Sequence, residues 1–143
     1  MRTAGSYGYT AAVPVDQSFF GAGSVADPWL ATETVNDSIT FNNFTGGIIR
    51  GIGGNFFDSD ISGNFQSGNI TLVATDASGP TSVTIVGATT TSFRGFVSDG
   101  AIISLVVTAV QTASSFWPTV DNLTLALAAG NSPNDMVFAG GFE

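Results

Sequence analysis

Asn69-Ile70-Thr71-Leu72-Val73-Ala74-Thr75, then Asp76-Ala77-Ser78-Gly79-Pro80, then Ser82-Val83-Thr84-Ile85-Val86: this stretch decides the fold class of the chain. Ile70, Leu72 and Ala74 alternate with Thr71, Val73 and Thr75, the period of two that sends successive side chains to opposite faces of a strand. The middle segment is built from turn formers, and Val83 and Ile85 resume the alternation on the far side of it.

The same signature recurs in both directions. Asp37 to Phe44 reads as a strand with Ile39, Phe41 and Asn43 on one face, and Gly46-Gly47 turns it into Ile48 to Phe57. Within that segment Gly51, Gly53 and Gly54 mark a bulge or a close backbone approach. Phe93 to Val97 is a further strand, closed by the tight turn Ser98-Asp99-Gly100. Ile102 to Val110 is the most hydrophobic strand and is expected at a sheet centre, with Ile103, Leu105 and Val107 filling the core. Phe116 to Leu127 ends the series, and the change of phase between Val120 and Leu123 predicts a bulge near Asp121-Asn122. The only helix-compatible stretch is Ala26 to Thr34, where Pro28 would suit a first helical position. Seven or eight strands at this spacing predict an all-β fold, an antiparallel β-sandwich or jelly roll over residues 35–130. Residues 1–34 read as an extended N-terminal arm or edge strand, and residues 131–143 as a tail.

Composition narrows the function classes. The 143 residues contain no His, no Cys and no Lys, and the cations are Arg2, Arg50 and Arg94. Charged residues are 10% of the chain, against about 25% in ordinary soluble domains. The surface must therefore be covered by Gly, Ser, Thr and Asn. A net charge of −8 leaves no basic stripe for nucleic acid and no attraction to an anionic membrane surface. It suits divalent cations, neutral glycans or further copies of the chain. The longest apolar run, Ala101 to Val110, is interrupted by Ser104 and Thr108 and falls well short of the roughly 20 residues of a spanning helix. Met1 to Gly5 lacks an apolar h-region, so an exported form would carry its targeting peptide outside this numbering.

Four pieces in order carry a resemblance: Ile48 to Phe57 followed by Asp58-Ser59-Asp60; Asn69-Ile70-Thr71-Leu72; Phe93-Arg94-Gly95-Phe96-Val97-Ser98-Asp99; and Trp117-Pro118-Thr119-Val120-Asp121-Asn122-Leu123-Thr124. Together, over roughly Ile39 to Leu127, they resemble the β-sandwich ectodomains of exported bacterial proteins that precede PEP-CTERM-type sorting tails. The ending departs from such a tail, having no Pro-Glu-Pro, no membrane helix and no basic end. Asn134 to Glu143 is similar instead to the short Asp-x-Val-Phe-x-x-Gly-Phe-Glu ending of exported proteins in Gram-negative bacteria. The resemblance implies a secreted or cell-surface protein, and it maps no catalytic residue onto this chain.

Without His, Lys and Cys, the Ser-His-Asp, Cys-His and Ser-Lys arrangements cannot be built, nor can a Schiff base or a histidine metal site. Asp58 and Asp60 could form a carboxylate pair about 7 Å apart if they shared a strand face, but their Gly-rich setting reads better as a loop. Such a loop, with Asp or Asn at short intervals, could hold calcium through Asp58 and Asp60, with Asp121 as a third ligand. The competing reading is an Asx-turn. Asp121 could equally accept backbone amides at a bulge or pair with Arg50 or Arg94. Trp29, Trp117, Tyr7 and Tyr9 are the aromatics available to stack on a sugar, Trp117 being better placed to cap the core.

The expected function is therefore a secreted, non-enzymatic surface or matrix protein that associates with copies of itself into a filament or layer, through sheet edges and terminal segments. Tyr7, Tyr9, Val13 and Val15 at the start, and Val137, Phe138 and Phe142 at the end, are the candidate contacts. A carbohydrate-binding module with a structural calcium, or an inert ectodomain, is the alternative.

Overall fold

The computed structural model describes residues 1–128 and 136–139. Among them there is no helix, and the strands in chain order are β1 (Arg2–Ala4), β2 (Tyr7–Ala12), β3 (Phe19–Gly23), β4 (Pro28–Thr32), β5 (Ser38–Thr45), β6 (Gly51–Ser59), β7 (Phe65–Gln66), β8 (Gly68–Asp76), β9 (Gly79–Ala88), β10 (Phe93–Val97), β11 (Ile102–Ala109), β12 (Trp117–Ala128) and β13 (Met136–Ala139). One sheet has the order β1-β2-β5-β11-β8-β9. The other runs β10-β6-β12-β4-β3, with β7 added to β6 and β13 to β12. All pairings are antiparallel, and the two open sheets form a β-sandwich.

Alternation explains which face each strand buries. Ile39 and Phe41 of β5, Ile70 and Leu72 of β8, and Leu105 and Val107 of β11 turn inward and are completely buried. Leu105 lies opposite Phe41 on one side and Ala74 on the other, and Val107 opposite Ile39 and Leu72, so the inward residues form continuous rows. They meet Ile52 and Phe56 of β6 and Val120, Leu123 and Leu125 of β12, all within one core cluster. Burying such a side chain stabilises the fold by about 1.5–3 kcal/mol relative to leaving it in water.

The opposite face of the six-stranded sheet shows how a chain without lysine covers itself. Ala12, Thr40, Val106, Val73 and Ser82 form one cross-strand row, and Ser38, Thr108, Thr71 and Thr84 the next. Hydroxyls and short aliphatics replace the usual charges, and the Thr71 and Thr84 hydroxyls hydrogen-bond at 3.2 Å.

Three expectations need correction, and one open alternative is resolved. The first 34 residues are not an arm: β1 and β3 are edge strands, but β2 and β4 lie inside their sheets, against β5 and β12. The strands outnumber the seven or eight expected, even with the short β7 and β13 left aside. Ala26 to Thr34 holds strand β4, not a helical turn, and Pro28 opens it at the end of the ladder with β3. Finally, Ile103 is 54% exposed while Ile102 is buried. The register of β11 against β8 slips between Ile102 and Ser104, so a bulge turns Ile103 outward and hands its core place to Ile102.

The bulge expected near Asp121-Asn122 is present. Asp121 pairs with Asn55 and Thr124 with Gly53, leaving an extra residue on β12, and Asn122 takes the left-handed φ of 52° that asparagine tolerates.

Candidate functional site

The three aspartates proposed as calcium ligands are in three different situations. Asp58 belongs to β6, where it pairs with Pro118 of β12 and Gln66 of β7. It shares the inward face of Phe56, is fully buried, and neither carboxylate oxygen has a hydrogen-bond partner. One of those oxygens packs against Gly68, in the space that a Cβ there would occupy, next to the Phe116 ring. Burial pushes its pKa up to about 7, because removing a carboxyl from water penalises the charged form.

Asp60 lies one residue beyond the end of β6 and forms an Asx-turn. One of its oxygens accepts the Ser62 and Asn64 amides, each at 2.9 Å. These hydrogen bonds, that from Asn64 first, hold its pKa below the usual carboxylate range. The turn presents Gly63 to the flank of the second sheet, where its carbonyl accepts the Gly23 amide at 2.9 Å. Gly63 has a φ of 79°, and a Cβ on it would lie 2.8 Å from the Phe20 ring.

Asp121 serves the bulge, accepting the Asn122 backbone amide at 2.8 Å and its side-chain amide at 3.1 Å. Of the roles open to it, the acceptance of amides at the bulge is present. Among the described residues no three acidic side chains gather into a group able to hold a metal ion. Asp58 and Asp60 do not share a strand face either, since the strand ends between them.

The aromatic candidates are largely engaged in packing. Tyr9 is buried in the core and meets Phe41 edge-on at 6.0 Å, so it cannot serve as a contact for a partner. Tyr7 packs half-buried beside the same core. Trp29 stands edge-on to Phe57 at 4.9 Å and donates its indole N–H to Asp27. Trp117 is half-buried and donates to the Glu33 carbonyl at 3.1 Å. Val13 is half-buried and Val15 is 88% exposed in the loop after β2. Val137 and Phe138 lie in β13, opposite Leu127 and Ala126 of the same chain's β12. Phe142 lies outside the described residues.

The arrangement that remains is a pair of neighbouring sheet edges. β9 closes one sheet, β10 the other, and the short link 89–92 joins them. β9 is the longest edge strand, ten residues from Gly79 to Ala88 without one charge. Its described hydrogen bonds are all to β8, including that of the Gly87 amide to the Asn69 side chain. The other edges are shorter and better guarded. β1 carries Arg2 and β10 carries Arg94, while the Gly23 end of β3 is bonded to Gly63. Between β9 and β10 a cleft of about 70 Å³ opens, lined by Ala74, Thr81, Phe96 and Ile102. At its polar end Ser98 donates to the Asp76 carboxylate. The alternation of residues 82–86 revealed β9 as a strand, but its edge position follows from long-range pairing that no local pattern encodes.

Comparison with protein-family models, with curated proteins and with solved structures finds no match.

Proposed function

We propose that this domain is a non-enzymatic structural protein of the cell surface or extracellular matrix, and that it associates with copies of itself through sheet edges. One observation carries the reading: β9, an edge strand with no second neighbour among the described residues, is long and uncharged. An unpaired edge is a template for another strand, and proteins that stay monomeric guard such edges with lysine, inward charges or very short strands. Here the guards are Pro80 at one end and a bulge at Gly87 at the other. Main-chain hydrogen bonds across the edge supply affinity, as in strand addition generally. The low charge of the chain and its resemblance to exported ectodomains support a place outside the cell.

Gel filtration over a concentration series, with negative-stain imaging of the largest species, tests the proposal. The parent should elute ahead of a 14.6 kDa monomer, and Ser82→Lys/Thr84→Lys, which puts charges along the edge, should elute as the monomer. A parent that stays monomeric at every concentration overturns the reading, and so does a double variant that assembles equally well.

A further inference from the structure

We infer that β9 pairs with β9 of a second copy of this chain, antiparallel and centred on Val83. The inference rests on the self-association reading above and specifies its geometry.

The hairpin determines which groups of β9 face outward. Asp76 and Gly79 flank the two-residue loop Ala77-Ser78, and Asp76 accepts the Ser78 amide at 2.8 Å. In a two-residue hairpin the flanking pair is hydrogen-bonded, and bonded and non-bonded pairs then alternate along the ladder. The partners of Ala74, Leu72 and Ile70, namely Thr81, Val83 and Ile85, therefore bond back to β8. Pro80, Ser82 and Thr84 turn their main-chain groups to the free side. This parity also accounts for Pro80, whose missing N–H falls on the open edge and not inside the sheet.

The free ladder is bracketed. Pro80 cannot donate at one end, and beyond Ile85 the register slips across Val86-Gly87, where Gly87 has a φ of 60°. Val83 is the midpoint between Pro80 and Val86. A second β9 laid antiparallel about Val83 sets Ser82 opposite Thr84 of the partner, and Thr84 opposite Ser82. Each of these two pairs exchanges both main-chain hydrogen bonds, and the facing hydroxyls prolong the row that Thr84 already shares with Thr71. No like charges meet, although each copy carries a net charge of −8. A single edge that pairs with itself about a two-fold axis closes at the dimer. Growth into a filament or layer would then need another edge, β1 or β3.

Val83 faces its own symmetry mate at a non-bonded position, where Cα atoms lie about 4.5 Å apart, within the range a disulfide spans. The chain has no cysteine, so one introduced thiol reports one contact. The full-length Val83→Cys variant, mildly oxidised at a concentration where the parent assembles, should form a covalent dimer on a non-reducing gel. It should do so on the order of 10-fold faster than Val15→Cys, because a preformed pair raises the effective thiol concentration. Ser82→Cys mixed with Thr84→Cys should cross-link, whereas either alone should not, and this pair of variants decides the matter if Val83→Cys folds poorly. Cross-linking no faster than that of Val15→Cys, in a parent that assembles, overturns the β9 register and leaves self-association standing. A parent that is monomeric throughout overturns both.

Discussion

A carboxylate oxygen of Asp58 rests directly against Gly68 on the facing sheet, beneath the ring of Phe116 and out of reach of solvent. Glycine is required there because any side chain would enter space that the carboxyl already fills. The contact closes one end of the sandwich with an acid that has no hydrogen-bond partner, so its protonation state and its neighbour's size both bear on stability.

The pH dependence follows from the raised pKa. In the unfolded chain Asp58 titrates near its ordinary value of 3.8, and in the fold near 7. The folded state therefore holds the proton more tightly. The stability associated with the protonated acid is complete below about pH 4 and is lost as pH rises through 7. At about 1.4 kcal/mol per unit the full shift corresponds to about 4 kcal/mol, an upper bound that solvent screening reduces. Asp60 and Asp76, whose pKa values are lowered, act in the opposite sense and below pH 4. Denaturant melts from pH 4 to pH 8 should show a falling midpoint in the parent and a flat one in Asp58→Asn. A parental midpoint that does not move would mean that Asp58 has the ordinary pKa of an exposed acid.

Gly68→Ala should destabilise the fold by about 1–3 kcal/mol, the usual cost of overpacking a filled interior. Its new methyl overlaps the Asp58 carboxylate and comes within 2.9 Å of the Phe116 ring. Shortening the acid relieves part of that clash, so Asp58→Ala/Gly68→Ala should cost less than the two single changes together. Strict additivity in urea titrations would show that the two positions do not touch.

Within β11, Leu105→Ala should cost about 2–5 kcal/mol, whereas Ile103→Ala should stay within about 0.5 kcal/mol as an exposed substitution. Equal losses would place both side chains in the core and remove the bulge between Ile102 and Ser104.

Calcium and chelators should leave the melting temperature where it stands. A ligand stabilises a fold only if the folded state binds it, and Asp58, Asp60 and Asp121 each serve a separate local structure. A calcium-dependent rise in melting temperature that Asp60→Asn abolishes would reinstate the cation site.

How far the sequence was legible depends on the range of each cause. The run Phe93 to Val97 coincides with β10, and the phase change between Val120 and Leu123 revealed the bulge at Asn122, because alternation and its breaks are local. Alternation alone puts Ile103 in the core, because three branched apolar residues, Ile102, Ile103 and Leu105, fit either phase until the pairing with β8 is known. The strands before residue 34 are legible only as an arm or edge strand, because they are short and rich in Gly and Ala, as in Phe19-Phe20-Gly21-Ala22-Gly23, and borrow their burial from β12 and β5. Asp58 read as a loop residue since glycines surround it. Those glycines instead let neighbouring backbone approach, as at Gly54, where a Cβ would lie 3.2 Å from the Asp121 carbonyl.

The place of β12 has a consequence for the order of folding. Among the described residues it is the one strand that joins β6 to β4, so the second sheet cannot be completed until residues from Trp117 onward have arrived. Leu30 of β4 must wait for Val120 of β12, 90 residues further along the chain. Such distant pairings make folding slow, on the millisecond-to-second scale of all-β domains. In a nascent chain this second sheet would stay open until the residues from Trp117 onward are free.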